Sequence, residues 1–205
     1  MGFYRKHILP GVIHYSCSMK SIMRQRAKVV PRAQGVVLEI GIGTGLNLPY
    51  YNASRVAKII GLDPSIEMTR IAAEVARKVS FDVEFVGLSG EEIPLDGNSV
   101  DTIVMTYTLC SIPDPCIALQ QMKRVLKPGG RLVFCEHGAA PDANVRRWQD
   151  RLTPVWSRLG GGCQLNREIP VLLTEAGFRI SDLESTYIPG WKPGSFNYWG
   201  SAVGG

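Results

Sequence analysis

Apolar and polar positions follow two different periods along this chain of 205 residues. In the first part of the chain, apolar side chains recur with the spacing of an amphipathic helix that buries one face. These apolar positions are Met19, Ile22, Met23, Ala27 and Val30. Lys20, Arg24 and Lys28 fall on the other side of such a helix. The pattern predicts an N-terminal helical cap over residues 1–34.

From residue 35 onward, short apolar runs alternate with helical patterns. The predicted strands occupy residues 35–40, 58–63, 83–86, 99–106 and 131–135. Predicted helices occupy residues 65–79 and 114–126, the second with Asp114 as N-cap and Pro115 at its first position. Strands that alternate with helices indicate a parallel sheet covered on both faces.

The last third of the chain departs from this alternation. Residues 142–159 have a helical pattern with a predicted kink at Pro154. Asn166 is predicted to cap one further helix. Residues 178–186 and 196–203 then read as two strands joined by a loop rich in proline and glycine, an antiparallel pair.

Length and composition fit one domain behind the cap. Hydrophobic residues make up 45% of the chain and charged residues 20%, the balance of an ordinary globular protein. No apolar run approaches the roughly 20 residues that span a bilayer. Residues 35–205 are therefore predicted to form one α/β domain. Its core is a Rossmann-like, doubly wound, mostly parallel sheet of seven strands, with the last strand antiparallel and helices on both faces.

The formal net charge of +5 is unevenly distributed. No acidic residue precedes Glu39, whereas seven basic ones do: Arg5, Lys6, Lys20, Arg24, Arg26, Lys28 and Arg32. Such a basic segment can contact a membrane surface or an anionic ligand, and it can equally be the solvated face of a helix. We expect a cytoplasmic protein, with peripheral membrane contact through the cap as one alternative.

The five cysteines form no metal or disulfide pattern in the sequence. They are Cys17, Cys110, Cys116, Cys135 and Cys163. No two have the C-x-x-C spacing, and none has zinc-ligand spacing with the three histidines. The sequence predicts reduced thiols and no metal.

A glycine loop follows the first predicted strand, in the order Gly41, Ile42, Gly43, Thr44, Gly45. Glycines there let a ligand approach the backbone where a Cβ would block it, at the strand end where doubly wound sheets bind ligands. Asp63 ends the second strand, where an acid can bind both ribose hydroxyls of an adenosine. The third glycine of a dinucleotide fingerprint is missing, because Leu46 follows the loop. Loop and acid favour an adenosine ligand and leave NAD and S-adenosylmethionine both open.

Four segments in the same order resemble a known family. LEIGIGTG (38–45), GLDPS (61–65), EEIPLDGNSVD (91–101) and LKPGG (126–130) are similar to the successive motifs of class I S-adenosylmethionine-dependent methyltransferases. The match runs in register over residues 35–137. The resemblance implies that S-adenosyl-L-methionine is the cofactor, with S-adenosyl-L-homocysteine as product.

The resemblance also implies roles by position. Its cofactor-binding set is Glu39, Gly41, Gly43, Thr44, Gly45, Asp63, Pro64, Ser65, Ser89, Gly90, Glu91, Thr106 and Leu109. Glu39 and the glycine loop would hold the methionine end, Asp63 the ribose, and Pro64 with Ser65 the adenine. Ser89 stands where the family usually has an acid that contacts the adenine amino group.

The segment after the fourth strand would flank the reacting methyl group, with Thr106, Tyr107 and Leu109. His137, directly after the fifth strand, is the candidate general base, and a structural histidine at a strand end is the alternative. Tyr107 is the second candidate catalytic residue. The cap of residues 1–34 is predicted to lie over this active site, where His7 and His14 could cover it or be surface histidines. The predicted reaction is an in-line displacement at the methyl carbon, for which a thiolate needs no strong base.

A second resemblance covers the rest of the chain and concerns the acceptor. TLCS (108–111), EH (136–137), WQ (148–149), PVW (154–156), GC (162–163) and LNRE (165–168) are similar to methyltransferase-like proteins that include membrane-associated thiol S-methyltransferases. It implies a small acceptor, with a thiol favoured and a phospholipid amine or quinone-type hydroxyl as alternatives.

The late aromatic residues supply apolar walls for a lipophilic acceptor or belong to the core. Those considered are Tyr15, Trp148, Trp156, Trp191, Phe196, Tyr198 and Trp199. RNA is the alternative substrate, which the lack of an Asp/Asn-Pro-Pro-Tyr type motif after the fourth strand disfavours. A sensor or partner subunit that binds the cofactor without catalysis is the alternative outside enzymes. Oligomeric state is left open.

Overall fold

The computed structural model describes residues 3–205, except for the side chains of Arg5 and Lys6. Seven strands within this part of the chain form one sheet. They are β1 (Gly35–Ile40), β2 (Val56–Leu62), β3 (Asp82–Val86), β4 (Val100–Thr106), β5 (Leu126–His137), β6 (Phe178–Tyr187) and β7 (Phe196–Gly204). Their order is β3-β2-β1-β4-β5-β7-β6, and β7 alone runs antiparallel to the other six strands. The predicted mostly parallel sheet with an antiparallel last strand is confirmed.

The order of the strands reverses between β1 and β4. From β1 the chain proceeds outward through β2 and β3, and it then returns to β4 on the other side of β1. The loops that leave the carboxyl ends of β1 and β4 therefore turn in opposite directions and leave a crevice between them. Ligands of doubly wound sheets bind at this place.

Six α-helices accompany the strands in the described residues. They are α1 (Leu9–Cys17), α2 (Lys20–Val29), α3 (Ile66–Ala76), α4 (Pro115–Val125), α5 (Ala143–Leu159) and α6 (Ile169–Glu175). Two begin with side-chain caps that satisfy free amides. Ser65 accepts a hydrogen bond from the amide of Met68, and Asp114 accepts from the amides of Cys116 and Ile117. The predicted Asp114 cap is confirmed.

Several element boundaries differ from the sequence prediction, and for two of them the structure shows the reason. Asn166 does not cap α6, because its side chain donates to Asp150 of α5 at 2.7 Å and the helix begins only at Ile169. β5 begins at Leu126, not at residue 131, because the glycine turn after α4 bulges out of an already paired strand. Both differences arise from partners distant in sequence.

Apolar side chains from both faces of the sheet are buried, as the continuous apolar runs of parallel strands require. On one face, Leu38, Ile103 and Phe134 pack with residues of α4 and α6. The other face buries a cluster that includes Val37, Ile59, Val104, Val133 and Trp199. The sheet is thus the centre of the core.

The cap contributes to this second cluster. Val29 and Val30 are fully buried there, and Gln25 and Arg26, one turn earlier, are buried as well. The buried face of α2 is rotated from the predicted stripe, since Met19 and Ala27 are exposed. The first two residues of the predicted cap lie outside the described residues.

No helix in the described part of the chain has the length and apolar character needed to cross a membrane. All five cysteines are free thiols.

Candidate active site

The loop after β1 holds three glycines in backbone conformations that other residues rarely adopt. The φ angle is +67° at Gly41, +54° at Gly43 and +77° at Gly45. A Cβ on Gly41 would overlap the side chain of Thr108. The amide of Gly41 donates to the carbonyl of Leu62 at 2.7 Å. The loop therefore lies tightly against β2 and the segment after β4, and it presents bare backbone to the crevice.

Asp63, directly after β2, holds this loop in place. One carboxylate oxygen accepts a hydrogen bond from the amide of Gly43 at 2.9 Å, and the other accepts from the amide of Ser65 at 2.8 Å. Burial raises the pKa of Asp63, and these two amides oppose the shift. Each oxygen keeps a further acceptor position, so the carboxylate can also bind hydroxyl groups in the crevice.

A cavity of about 300 Å³ occupies the crevice, and we call it the loop cavity. Of the residues predicted to bind the cofactor or catalyse the reaction, those that line it are Gly41, Gly43, Thr44, Asp63, Pro64, Ser65, Ser89, Gly90, Thr106 and Tyr107. Glu39, Gly45, Glu91 and Leu109 lie outside its lining. Gly45 packs on Ala72 of α3, and Leu109 is fully buried.

Ser89 lines the loop cavity after β3, and its side chain contacts Glu91, which lies outside the lining. The hydroxyl of Ser89 donates to Glu91 Oε2 at 3.2 Å, and Glu91 Oε1 accepts from the amide of Asp114 at 2.9 Å. Glu91 therefore fixes the start of α4. Ser89, and not Glu91, faces the loop cavity.

Glu39 is enclosed behind the glycine loop. It accepts hydrogen bonds from Asn47 Nδ2 at 3.0 Å and from the hydroxyl of Tyr51 at 2.7 Å. Burial raises the pKa of Glu39 to about 7, against the opposing effects of the Tyr51 hydrogen bond and the charge of Arg26. In this structure Glu39 braces the wall of the loop cavity from behind.

Arg26 of α2 is a buried cation at the wall of the loop cavity. Its Nη1 donates to Asn47 Oδ1 at 2.9 Å and to Thr106 Oγ1 at 2.5 Å, and its guanidinium lies 5.2 Å from the ring centre of Tyr107. Its Nε is buried without a partner among the described residues. Arg26 was counted from the sequence only among the basic residues of the cap, although it lies seven positions after Met19 and so falls on the predicted apolar stripe.

The cap also covers the glycine loop directly. His14 Nδ1 of α1 lies 2.7 Å from Thr44 Oγ1, and both residues line the loop cavity. Leu9, Ile13 and Cys17 of the same helix line it too. The cap thus lies over the crevice at the glycine loop.

A second cavity of about 390 Å³ adjoins the first, and we call it the apolar cavity. The cap supplies one wall, including Val12, Ile13 and Ile22. Late residues supply the other wall, among them Trp156 and Trp191, whose ring centres lie 5.0 Å apart. Of the seven aromatic residues considered from the sequence, these two line the cavity.

Tyr107 lies between the two cavities and lines both. Its φ angle is +54°, a strained conformation for a residue with a side chain. The hydroxyl donates to Asn197 Oδ1 at 2.6 Å, and burial raises the pKa of Tyr107 well above its ordinary value. Tyr107 therefore forms a fixed, uncharged partition.

His137, at the end of β5, lines the apolar cavity. Its Nε2 lies 3.2 Å from Cys163 Sγ, and its Nδ1 is buried without a partner in the described part of the chain. The neighbouring Glu136 faces the loop after β4, where Oε1 accepts from the amides of Thr108 and Leu109. Burial raises the pKa of Glu136 to about 8. The structure thus places His137 and Tyr107 on one cavity.

Comparison with known proteins identifies the family to which this chain belongs. The family model described as a methyltransferase domain matches residues 38–134. The thiol S-methyltransferase TMT1B of Homo sapiens is 35% identical over 193 residues, which cover 91% of this chain and 78% of the human protein. The protein of the same name from Rattus norvegicus is 35% identical over 166 residues. That match covers 79% of this chain and 65% of the rat protein's length.

Solved structures share the fold across the whole chain. One is a chain in the complex between the Haloferax volcanii Trm112 methyltransferase activator and a methyltransferase. It matches with a TM-score of 0.71 at 18% identity, over 98% of this chain and 96% of that one. At this identity the match supports the fold alone.

Proposed function

The chain belongs to the family of S-adenosylmethionine-dependent methyltransferases that includes the thiol S-methyltransferases, and we propose that it methylates a small lipophilic thiol. The observation that carries the proposal is the pair of adjoining cavities. One is built on the glycine loop and Asp63, the other has apolar walls, and Tyr107 separates them. A cofactor in the first cavity and an acceptor in the second would meet at that partition.

The residues of the loop cavity fit this cofactor. Bare glycine backbone admits a ligand, and Asp63 has free acceptor positions for the ribose hydroxyls. Arg26 lines the cavity as a buried cation, and the carboxylate of the methionine part would supply its counter-charge. Ser65 and Ser89 would lie at the adenine end, since both line the cavity beyond Asp63.

The protein's own residues align the reactants and exclude water. When bound, S-adenosylmethionine supplies a methyl group activated by its sulfonium charge. The cap covers the glycine loop, with His14 of the cap in contact with Thr44 of the loop. Tyr107, which its hydrogen bond to Asn197 holds in place, fixes the direction from which an acceptor in the apolar cavity approaches. The acceptor sulfur forms the new bond to carbon as the bond to the sulfonium sulfur breaks, and the thiol proton leaves the acceptor. The thiols of Cys17, Cys110 and Cys163 and the imidazole of His137 line the apolar cavity, where this proton departs.

Exposed apolar side chains around the cap and α5 favour a lipophilic acceptor. They include Phe3, Ile8, Val12, Tyr15, Met19, Trp156, Leu159 and Trp191, several of which line the apolar cavity.

Apolar surface next to exposed Lys20 and Arg24 has the character of a surface that contacts anionic lipid. We propose peripheral membrane contact there, and co-sedimentation with anionic vesicles tests it: loss of binding in Val12→Glu is expected, and equal binding of neutral vesicles would contradict it.

The experiment that tests the proposed function is transfer of a labelled methyl group from S-adenosylmethionine. The acceptor panel contains alkyl and aryl thiols, phenols, phospholipid amines and a structured RNA. We expect label in the thioether product of the lipophilic thiols, and much less label with the Asp63→Ala variant at a limiting concentration of cofactor. Label in an amine, a hydroxyl or RNA would show that this group, and not a thiol, is the methyl acceptor. Cofactor binding without transfer to any acceptor would identify a non-catalytic binding protein.

A further inference from the structure

Three segments that are distant in sequence bring two thiols and an imidazole together at the wall of the apolar cavity. Cys110 lies in the loop after β4, His137 ends β5, and Cys163 lies in the glycine-rich turn after α5. The two sulfur atoms and a ring nitrogen all lie within 4.8 Å of one another. We call these three residues the Cys–His–Cys cluster.

The backbone around the cluster is held rigidly from several sides. Glu136 binds the amides of Thr108 and Leu109, and Arg167 donates to the carbonyls of Leu109 and Ile112. The loop that carries Cys110 is thereby fixed before any ligand binds. Such preorganisation is what a metal or substrate site requires.

The segment that carries Cys163 is docked onto the same loop. The amide of Gln164 donates to the carbonyl of Cys110 at 2.9 Å. Trp156 Nε1 lies 3.4 Å from Cys163 Sγ, in position to donate to it. An indole donor of this kind stabilises a thiolate without competing for its place in the cluster. The two cysteines are therefore fixed relative to each other by backbone as well as side-chain contacts.

The cluster has the chemistry and dimensions of an open zinc site. Thiolate and imidazole are the ligands that zinc prefers, and two cysteines with one histidine form a known class of catalytic site with a free fourth position. Bond lengths of about 2.3 Å to sulfur and 2.0–2.1 Å to nitrogen put tetrahedral ligand atoms about 3.5–3.8 Å apart. His137 Nε2 and Cys163 Sγ lie 3.2 Å apart, so a small outward shift would admit the ion.

The charge of the three ligands and their exposure both fit a bound zinc ion. Two thiolates balance the two positive charges of zinc, so the occupied cluster adds no net charge to a buried wall. Cys110 is 2% exposed and His137 is 9% exposed, whereas Cys163 is partly accessible. All three line the apolar cavity. The protein thus surrounds the cluster on most sides and leaves open the side that faces the apolar cavity.

We propose that Cys110, His137 and Cys163 bind a zinc ion whose fourth coordination position opens into the apolar cavity. The role of that position rests on the proposed function: it would receive the acceptor thiol and hold it as a thiolate. The thiol proton leaves to solvent, and a sulfur lone pair forms the bond to the methyl carbon. The carbon–sulfonium bond breaks, and its electron pair stays on the cofactor sulfur. The products are a neutral thioether and S-adenosylhomocysteine, with no change of oxidation state.

Cobalt(II) binding to the reduced, metal-free protein tests the site without use of activity. We expect the d–d bands of tetrahedral cobalt and a thiolate-to-cobalt charge-transfer band that saturate at about one ion per chain and disappear when zinc is added. Cys163→Ser and Cys110→Ser should lose the charge-transfer band or reduce its intensity to about half. Cys116→Ser is the matched control, because Cys116 is exposed on α4 and outside the cluster.

Thermal unfolding provides a second measurement that does not depend on spectra. Zinc should raise the Tm of the wild type and of Cys116→Ser, and leave the Tm of Cys163→Ser unchanged. Identical cobalt spectra in Cys163→Ser and wild type would overturn the proposal. A Cys110–Cys163 disulfide that remains in protein purified under reducing conditions would overturn it too.

The metal site and the proposed function can fail separately. A lipophilic thiol added to the cobalt protein should shift the d–d bands, and Cys163→Ser should raise the KM for that thiol without weakening cofactor binding. Methylation of thiols at the same rate by zinc-free and zinc-loaded protein would overturn the acceptor role and leave the proposed function standing. Metal binding without methylation of any thiol would overturn the proposed function and leave the site standing.

Discussion

Replacement of Arg26 should weaken binding of the methionine part of the cofactor and leave adenosine binding intact. Arg26 is 5% exposed and lines the loop cavity, so its guanidinium places a buried positive charge at that wall. A hydrogen bond to a charged group contributes about 1.5–3 kcal/mol. Arg26→Gln should therefore weaken binding of S-adenosylmethionine and S-adenosylhomocysteine by roughly 10- to 150-fold. Arg26→Lys keeps the charge and should lose less.

The measurement is isothermal titration of each variant with three ligands. The first two are the cofactor and its demethylated product, and the third is 5′-methylthioadenosine, which has the same nucleoside but no amino acid carboxylate. Glutamine can still donate to Asn47 and Thr106, which hold Arg26 now. The affinity for methylthioadenosine should change by less than about threefold. Equal weakening for all three ligands would show that Arg26 only supports the cavity wall, and no weakening would refute its assignment to the carboxylate.

Three further predictions concern other parts of the site. Asp63→Ala should weaken S-adenosylmethionine and methylthioadenosine alike, by about 1.5–3 kcal/mol per lost ribose hydrogen bond, and unchanged titration isotherms would mean that another group binds the ribose. Burial raises the pKa of Glu39 to about 7, above its ordinary value of 4.5. The folded protein therefore binds one more proton than the unfolded chain between these two values. The resulting stabilisation is fully present below pH 4.5 and is lost as pH rises toward 7. In Glu39→Gln, denaturant unfolding without cofactor should therefore show a smaller fall of unfolding free energy between pH 5 and 7, by roughly 1–3 kcal/mol, and an unchanged slope would contradict a neutral Glu39. Trp191→Ala should raise the KM for a long-chain thiol roughly tenfold, because about 1.5 kcal/mol of apolar contact is lost, and should leave the Kd of the cofactor unaltered. Equal effects on short and long thiols would argue against contact between Trp191 and the alkyl chain of the acceptor.

Local patterns predicted the fold well because most of its elements carry their own signals. β1 was predicted with the bounds that the structure has, since an apolar run there ends in glycines. α4 begins where Asp114 and Pro115 predicted it, because capping and proline geometry are local. Asn166 misled as a cap because Asp150, on a different helix, binds its side chain.

The candidate site also has parts that the sequence predicts and parts that it does not. The glycine loop and Asp63 could be identified from sequence, because a nucleotide-binding loop and the acid after the next strand have fixed positions along the chain. Arg26 was counted with the basic residues of the cap, although its place on an apolar stripe was a local signal of burial. The pairing of His14 with Thr44 had no such signal, because the direction in which α1 folds back depends on packing.

The glycine loop, Asp63 and the alternation of strands and helices were determined by the sequence itself, since each depends on neighbours within a few residues. The apolar cavity and the Cys–His–Cys cluster were decided only by the tertiary structure. Cys110, His137 and Cys163 lie on three separate segments, and no spacing along the chain marks them as ligands of one ion. They meet because β4 and β5 are adjacent in the sheet and the turn after α5 docks on the loop after β4. Chemistry assembled from distant segments becomes visible only when the sheet has brought those segments together.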